Sequence, residues 1–452
     1  MKKFIILGLT LFALSMVKAQ GCLPEGITFS TQSEIDNFQT NYPGCTHILG
    51  NVTISNAINY TIENLNGLAA LQSVAGDFII TDNYGLLNLN GLNNLEHVGG
   101  NLSISYNYFI TDLQGLASLD TVAGSLSIIT CNAIPTLAGL ENLSFVGESF
   151  NIVWNNSLTS FSCLENLNHI GGNIDISINP QLINIDILNN FSEINGSLMI
   201  NSNWALADLI GLQNIQHIDG NVDVQNNEAL QDLEGLNNLE SIGGNLTIDG
   251  NSYLKNFSGL ENLHTIGGYL DITGNSDLVN LEALGNLTHI GGELIITWNE
   301  PLESLAGIDN IQAASITGLN IQNNRFLSSC EVKSVCEYLA RPDAQVNIGA
   351  NAPFCNSKEE VIIACDLVGV NEFDAIDPLI FPNPADGVLN IEKLKLNPGT
   401  EIWILNTSGQ LIIESFFSEG KNVIDIHDLA KGIYILRIIA SEKVIQLRFI
   451  KG

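Results

Sequence analysis

Three aspartates fall on a lattice: Asp175, Asp223 and Asp271 stand 48 residues apart, and Asp249 lies between the last two, two places further along its own repeat. Carboxylates that a repeating fold brings onto one face could do three things. They could act as the acid and base of an inverting glycosidase, whose carboxyl groups stand about 6.5–9.5 Å apart. They could supply oxygen ligands to a hard cation such as Ca2+, or they could form no more than a solvated acidic face. Tyr106, Trp154 and Trp298 share a second lattice position, with Trp204 near it in its own repeat. Exposed rings there could stack on sugars or anchor a protein partner, or cover the edge of the core. His97, His169, His217 and His289 share a third position.

The lattice constant is 24. From Gly67 the chain divides into ten blocks of 24 residues without an insertion, ending at Ala306, and so regular a repeat decides the fold class. The block Gly235 to Ser258 is typical, with apolar residues at positions 2, 5, 8, 12, 14, 20 and 23: Leu236, Leu239, Ile242, Leu246, Ile248, Leu254 and Phe257. One block cannot bury seven such side chains, but stacked blocks bury them in columns. Positions 12 and 14 alternate with polar neighbours, which predicts one short parallel strand per coil, with positions 11, 13 and 15 facing outward. Gly99-Gly100, Gly171-Gly172 and Gly291-Gly292 are expected to supply a turn before it through positive φ. Position 17 is Asn in nine of ten blocks and Cys131 in the other, which predicts an inward ladder of side-chain amides. At this period the four histidines never occupy consecutive coils, so they cannot share one metal. Coils stack at about 4.8 Å, placing Asp223 and Asp271 about 9.6 Å apart.

Charge restricts the partners. The 452 residues hold 16 Lys plus Arg against 48 Asp plus Glu, for a net charge of −32, and between Gln20 and Asn324 the only basic residue is Lys255. Such a surface repels phosphate backbones and anionic headgroups, so neither nucleic acid nor a lipid surface is an expected partner. With 45% hydrophobic residues the acidity does not signal disorder.

The spacing Leu-x-Ile-x-x-Asn resembles the leucine-rich repeat. One extra residue between aliphatics such as Ile242 and Leu246, together with the Gly-Gly pair, is more similar to the receptor L domain of insulin-type receptors and fungal wall proteins. The first segment matches as well: Cys22, Ile27-Thr28-Phe29, Ser33 to Phe38, Cys45, and Ile48 to Ile54. The resemblance implies a mainly β chain, a right-handed parallel β-solenoid of 24-residue coils, used as a generic recognition scaffold. Cys22 and Cys45 flank the first cap and are expected to bond, export making disulfides permissible. Cys330, Cys336, Cys355 and Cys365 lie in a second cap, where four thiols allow three pairings. Helical spacing at Val332, Val335, Cys336 and Leu339, and a capping box at Ser357 and Glu360, predict two helices there. Cys131 and Cys163, two coils apart, are expected to stay unpaired.

The two ends read as addresses. Lys2-Lys3, an apolar run from Phe4 to Met16, and Val17-Lys18-Ala19 form an expected secretory signal over 1–19. Its 13 apolar residues fall short of the roughly 20 needed to span a bilayer, and no comparable stretch follows. Ala19-Gln20-Gly21 lacks the large aliphatic residue of a lipidation box before Cys22. At the other end Phe381-Pro382-Asn383-Pro384, the turn Ser408-Gly409-Gln410, the run Leu429 to Leu436 and the final Phe449-Ile450-Lys451-Gly452 resemble the type A sorting domain of the type IX secretion system. Six strand-like runs between Val388 and Ile450 predict a small β-sandwich. The expected organisation is a signal over 1–19, a cap and first coil over 20–66, repeats over 67–306, and a cysteine-containing cap over 307–365. A linker over 366–379 and the sorting domain over 380–452 complete it.

No G-x-S-x-G, H-E-x-x-H or P-loop motif occurs, and scarce cations leave little to stabilise an oxyanion. The expectation is a non-enzymatic recognition or adhesion protein, secreted or held at the outer-membrane surface, binding a surface protein or a glycan and handled by the type IX machinery. A glycan hydrolase using Asp223, Asp249 and Asp271, or a structural surface-layer component, are the alternatives.

Overall fold

The computed structural model describes residues 21–56, 61–368, 379–392, 400–406, 410–416, 423–440 and 443–452. The expected signal, most of the expected linker and the Ser408-Gly409 turn lie outside the described residues. The chain forms two compact units, Met1–Ile170 and Gly171–Gly452. The fold is mainly β, a β-solenoid of about 13 turns followed by small antiparallel sheets.

In the first unit, successive strands pair parallel with a 24-residue offset, as in Phe78↔Leu102, Leu102↔Leu126 and Phe150↔Leu126. A second parallel sheet uses two-residue strands such as Ser73–Val74, His97–Val98 and Thr121–Val122. The aliphatic columns point between these sheets, and Leu92, Leu95, Val98, Leu102 and Ile104 are fully buried. Each such side chain contributes about 1.5–3 kcal/mol, far more than any surface contact of the coil. The end of this stack is closed by α1 (Gln32–Asp36) and α2 (Phe38–Asn41). Thr31 caps α1 in a reciprocal box with Glu34, and Cys22 bonds Cys45 across a Cα separation of 5.8 Å.

In the second unit the same register holds from Ile174↔Leu198 to Leu270↔Leu294 and continues through Leu294↔Leu319 and Leu319↔Val346. Its cap contains α3 (Lys333–Leu339) and α4 (Lys358–Val368). The three possible pairings resolve to Cys330–Cys355 and Cys336–Cys365. Arg341 donates from Nη1 to the carbonyls of Ala313 and Ile316, at 3.0 and 3.1 Å, tying α3's end to the last coils. The Ser357 box forms only in part. Ser357 Oγ accepts from Glu360 N, but the Glu360 carboxylate accepts from Phe354 N and Asn356 N instead of closing back on Ser357. α4 extends to Val368, three residues past Cys365.

Residues from Leu379 onward form a three-stranded and a four-stranded antiparallel sheet around Leu389, Ile404, Leu436 and Phe449. The motif residues have physical roles here. Asn383 Oδ1 accepts from Ile450 N at 2.8 Å, so the Pro-Asn-Pro segment holds the final strand, and Tyr434 donates its hydroxyl to Ala430 O at 2.9 Å.

The amide ladder sets the coil geometry. Within each unit a position-17 Asn accepts at Oδ1 from the backbone N–H of the position-17 residue one coil earlier and donates from Nδ2 to a strand carbonyl of that coil; Asn83, at the start, donates in this way but has no partner at Oδ1 among the described residues. Asn227 makes both bonds, with Asn203 N at 3.0 Å and Ile200 O at 2.7 Å. The ladder continues beyond the regular repeats to Asn324 and Asn351. Cys131 keeps the pattern in a weaker form: the Asn107 N–H is directed to its sulfur, and its thiol faces Ile104 O at 3.5 Å. Burial pushes the Cys131 thiol up to about 12. Since the thiolate is the nucleophile, iodoacetamide at pH 8 is expected to leave Cys131 unmodified in the native protein and to alkylate it after unfolding in urea, read by peptide mass spectrometry.

The Gly-Gly pairs act differently from the expectation. No φ in the left-handed range occurs at Gly99, Gly100, Gly291 or Gly292. A Cβ on Gly99 would stand 2.4 Å from Ala75 O, and one on Gly291 would stand 2.1 Å from Gly267 O. Close approach of one coil to the next, not turn conformation, demands glycine there.

Candidate recognition surface

Position 11 does not offer its side chains to a partner as expected. These residues form a second ladder: Asn101 Oδ1 accepts from Ser125 N at 2.8 Å, and Asn245 Oδ1 accepts from Tyr269 N at 3.0 Å. A third ladder runs on position 4, where Asn142, Asn238, Asn262 and Asn286 each donate at 2.7 Å to a carbonyl of the preceding coil. Much of the polar composition is thereby engaged between coils. The outward strand positions left for a partner are 13 and 15.

In the second unit, position 13 reads Asp175, Met199, Asp223, Thr247, Asp271 and Ile295 across paired strands. Asp249, at position 15, lies opposite Gln225 and Thr273. The four aspartates are half-buried. Asp249 and Asp271 sit on adjacent strands and interact, whereas Asp223 is separated from Asp271 by Thr247's strand and from Asp175 by Met199's. Ser177 donates to Asp175 and Thr273 to Asp271. Burial raises the carboxyl pKa of Asp175 and Asp271 against these stabilising hydrogen bonds; at Asp249 burial is the main cause and the charge of Asp271 adds to it. Among the described residues no group of three or more His, Cys, Asp or Glu could hold a metal ion.

The raised values carry a stability prediction. A carboxyl whose folded pKa exceeds its unfolded one holds its proton more tightly in the native state, so stability falls as pH rises through that window. Asp271→Asn removes the cost and keeps an oxygen for Thr273. The variant is expected to have a higher urea midpoint than the parent at pH 7, with the difference vanishing as pH falls below the ordinary carboxylate range. Equal midpoints at pH 7 would contradict it.

The first unit's face is chemically distinct. Position 13 there carries Ile79, Ser103, Ser127 and Asn151 in register, with Asn151 Nδ2 donating to Ser127 Oγ at 3.0 Å. Residues 21–170 contain no Lys or Arg.

Beside each strand runs an aromatic-bearing turn. Tyr106, Trp154 and Trp298 are 43%, 50% and 57% exposed, with φ of 55°, 61° and 60°. Position 16 adopts positive φ in all ten blocks, including Asp82, Asn226, Gly250 and Gly274. The cause is the ladder: the chain must bend left-handed for one residue to swing the following Asn inward. Bulky residues rarely tolerate this conformation, so the aromatic side chains are held at a position that suits Gly, Asn or Asp. The three expected aromatics are never on consecutive coils. Positions 18 and 19 add others to the exposed Trp204: Tyr84 and Tyr108 stack with centroids 5.3 Å apart and planes at 10°, and Phe109, Tyr253 and Phe326 are exposed.

The histidines serve the coil stack. His217 Nδ1 meets Ser241 Oγ at 2.9 Å, His97 meets Thr121 in the same way, and His169 stacks on Phe145 at 4.5 Å.

Comparison with known families assigns residues 44–122, 190–256 and 240–363 to the receptor L domain, and residues 379–452 to the secretion system C-terminal sorting domain. The search of curated proteins returns no match. Neither family is enzymatic. The sorting domain marks proteins that the type IX system secretes to the cell surface or the medium. No helix among the described residues is long and apolar enough to cross a membrane. Since its L-domain matches extend over more than half of the chain, this protein belongs to the receptor L domain family and carries a sorting domain for type IX secretion.

Proposed function

We propose that the protein is a non-catalytic recognition or adhesion protein that binds a surface partner through the outward strand positions and the aromatic turn edge. The observation that carries this reading is the set of half-exposed Tyr106, Trp154 and Trp298 rings held at positive φ. The positive φ belongs to every coil, so the exposed rings themselves support the reading: large aromatics dominate the energy of binding surfaces. Export to the cell surface or medium agrees with such a role. The test is an array of glycans and surface proteins probed with the chain lacking residues 380–452, the expected sorting domain. Binding of at least one class, weakened by Trp154→Ala or by Trp298→Ala, is the expected result. Binding that ignores both substitutions would refute the reading.

The hydrolase alternative draws on the upward direction of the pKa at Asp249 and Asp271, which favours the protonated form that a general acid needs. A polysaccharide panel decides it: turnover by the parent protein that Asp223→Ala, Asp249→Ala and Asp271→Ala abolish would establish an enzyme, and absence of turnover in the parent would dismiss one.

A further inference from the structure

We infer that the first unit binds a linear, uncharged polysaccharide laid across its coils, along the row Ser103, Ser127 and Asn151 and against the rings of Tyr84, Tyr108 and Trp154. This rests on the recognition reading above and names its ligand class. Translational symmetry points to this ligand. Ser103, Ser127 and Asn151 stand opposite one another on consecutive strands, offering outward hydroxyl and amide groups at one-coil steps of about 4.8 Å. Tyr84 and Tyr108 repeat at the same step, with near-parallel rings, and Trp154 follows two coils beyond the coil of Tyr108 with its indole half-exposed. A surface with translational repeat is matched by a ligand that repeats, and a polysaccharide does so at a step of the same order, one sugar ring. A folded protein surface has no such period. Sugar rings also present the two faces this surface is built for, hydroxyls toward the serine and amide row and C–H groups toward aromatic rings.

Charge narrows the class. Residues 21–170 hold no Lys or Arg to pair with a uronate or sulfate, so an anionic glycan would lose hydration without compensation. Position 13 of these coils is itself uncharged, unlike its counterpart in the second unit, so a basic protein gains no specific partner along this row.

The experiment titrates the full chain calorimetrically with cellohexaose, laminarihexaose, mannohexaose and hexagalacturonate. At least one neutral hexasaccharide is expected to bind, more tightly than its own disaccharide, while hexagalacturonate does not. Trp154→Ala and Tyr108→Ala are each expected to weaken binding tenfold or more, and Tyr108→Phe, which keeps the ring, to weaken it less than threefold. Circular dichroism of each variant confirms folding, and Trp154→Ala, at an exposed site, remains decisive if Tyr108→Ala does not fold. Failure of all three neutral hexasaccharides at millimolar concentration, or binding unchanged by Trp154→Ala, would overturn the inference. If surface proteins bind on the array while no glycan does, the glycan inference fails and the recognition reading stands; if neither binds, both fail.

Discussion

Asn251→Ala is expected to lower the unfolding free energy by about 3 kcal/mol, the cost of leaving a buried backbone N–H without a partner and of emptying the space the amide fills. Asn251 Oδ1 accepts from Asn227 N at 2.9 Å, and its Nδ2 donates to Val224 O at 2.8 Å and Asp249 O at 3.3 Å. The residue is fully buried, so water cannot replace these bonds without opening the coil. Alanine therefore orphans the Asn227 N–H, at about 1–3 kcal/mol, and leaves a cavity in place of the amide, while Asp249 O keeps the Asn226 N–H at 2.9 Å. Asn251→Cys is the control supplied by the chain itself. At Cys131 a thiol takes the Asn role, meeting the Asn107 N–H and the carbonyls of Ile104 and Ile129 at 3.5 and 3.7 Å. Sulfur is a weaker donor and acceptor than an amide, so Asn251→Cys is expected to lose about half as much. Urea midpoints at constant slope measure both. Equal losses for Ala and Cys would show that a thiol takes over none of the amide's role at this position.

The solenoid was legible because its cause is periodic. Aliphatic columns and the Asn at position 17 repeat every 24 residues, and a column visible in sequence becomes a column in space when coils stack in register. The ladder's last two members, Asn324 and Asn351, escaped because they follow at 25 and 27 residues, where the coil has lengthened. Two features were misread because sequence shows residue type and not backbone conformation. By residue type the Gly-Gly pairs read as a turn, whereas in the structure they are points of close approach; the left-handed residue is at position 16, which aromatic, aliphatic and hydroxyl side chains occupy as well as Gly. Position 11 was assigned outward to a partner on strand alternation alone, but a short polar side chain beside a neighbouring coil's N–H bonds to it first. For the candidate surface, the Asp lattice was readable from spacing, while the stacked Tyr84 and Tyr108 were hidden in a turn column that is otherwise mixed.

Gly259→Ala is expected to destabilise the protein by about 4 kcal/mol, and Gly285→Ala by less than about 0.5 kcal/mol, although both glycines sit on turns of the same face of the repeat. Gly259, at block position 1, has φ +109°, and a Cβ there would stand 2.1 Å from Leu233 O and 2.5 Å from its carbonyl carbon. That φ lies beyond the left-handed helical well, where only glycine is comfortable, at about 1–3 kcal/mol for another residue. The clash with backbone adds an overpacking cost of about 1–3 kcal/mol, since the neighbouring carbonyl belongs to the coil stack and cannot swing away. Gly285 ends a short 3-10 turn at negative φ, and its Cβ would meet only Glu282 O, at 3.2 Å. The chain records the same rule. Where position 1 is Cys163, Ile187 or Ala283, φ is not positive, and both Ile187 and Ala283 lie in 3-10 turns, Asp186–Asn190 and Glu282–Leu284. Every side chain found at this position therefore lies outside the positive-φ region, although Gly67 and Gly115 take the 3-10 form as well. Calorimetric unfolding of the two variants measures the difference. A small loss at Gly259, with a crystal structure showing a 3-10 turn in that coil, would mean that the two turn forms are nearly equal in energy and that glycine is a preference of the repeat and not its requirement.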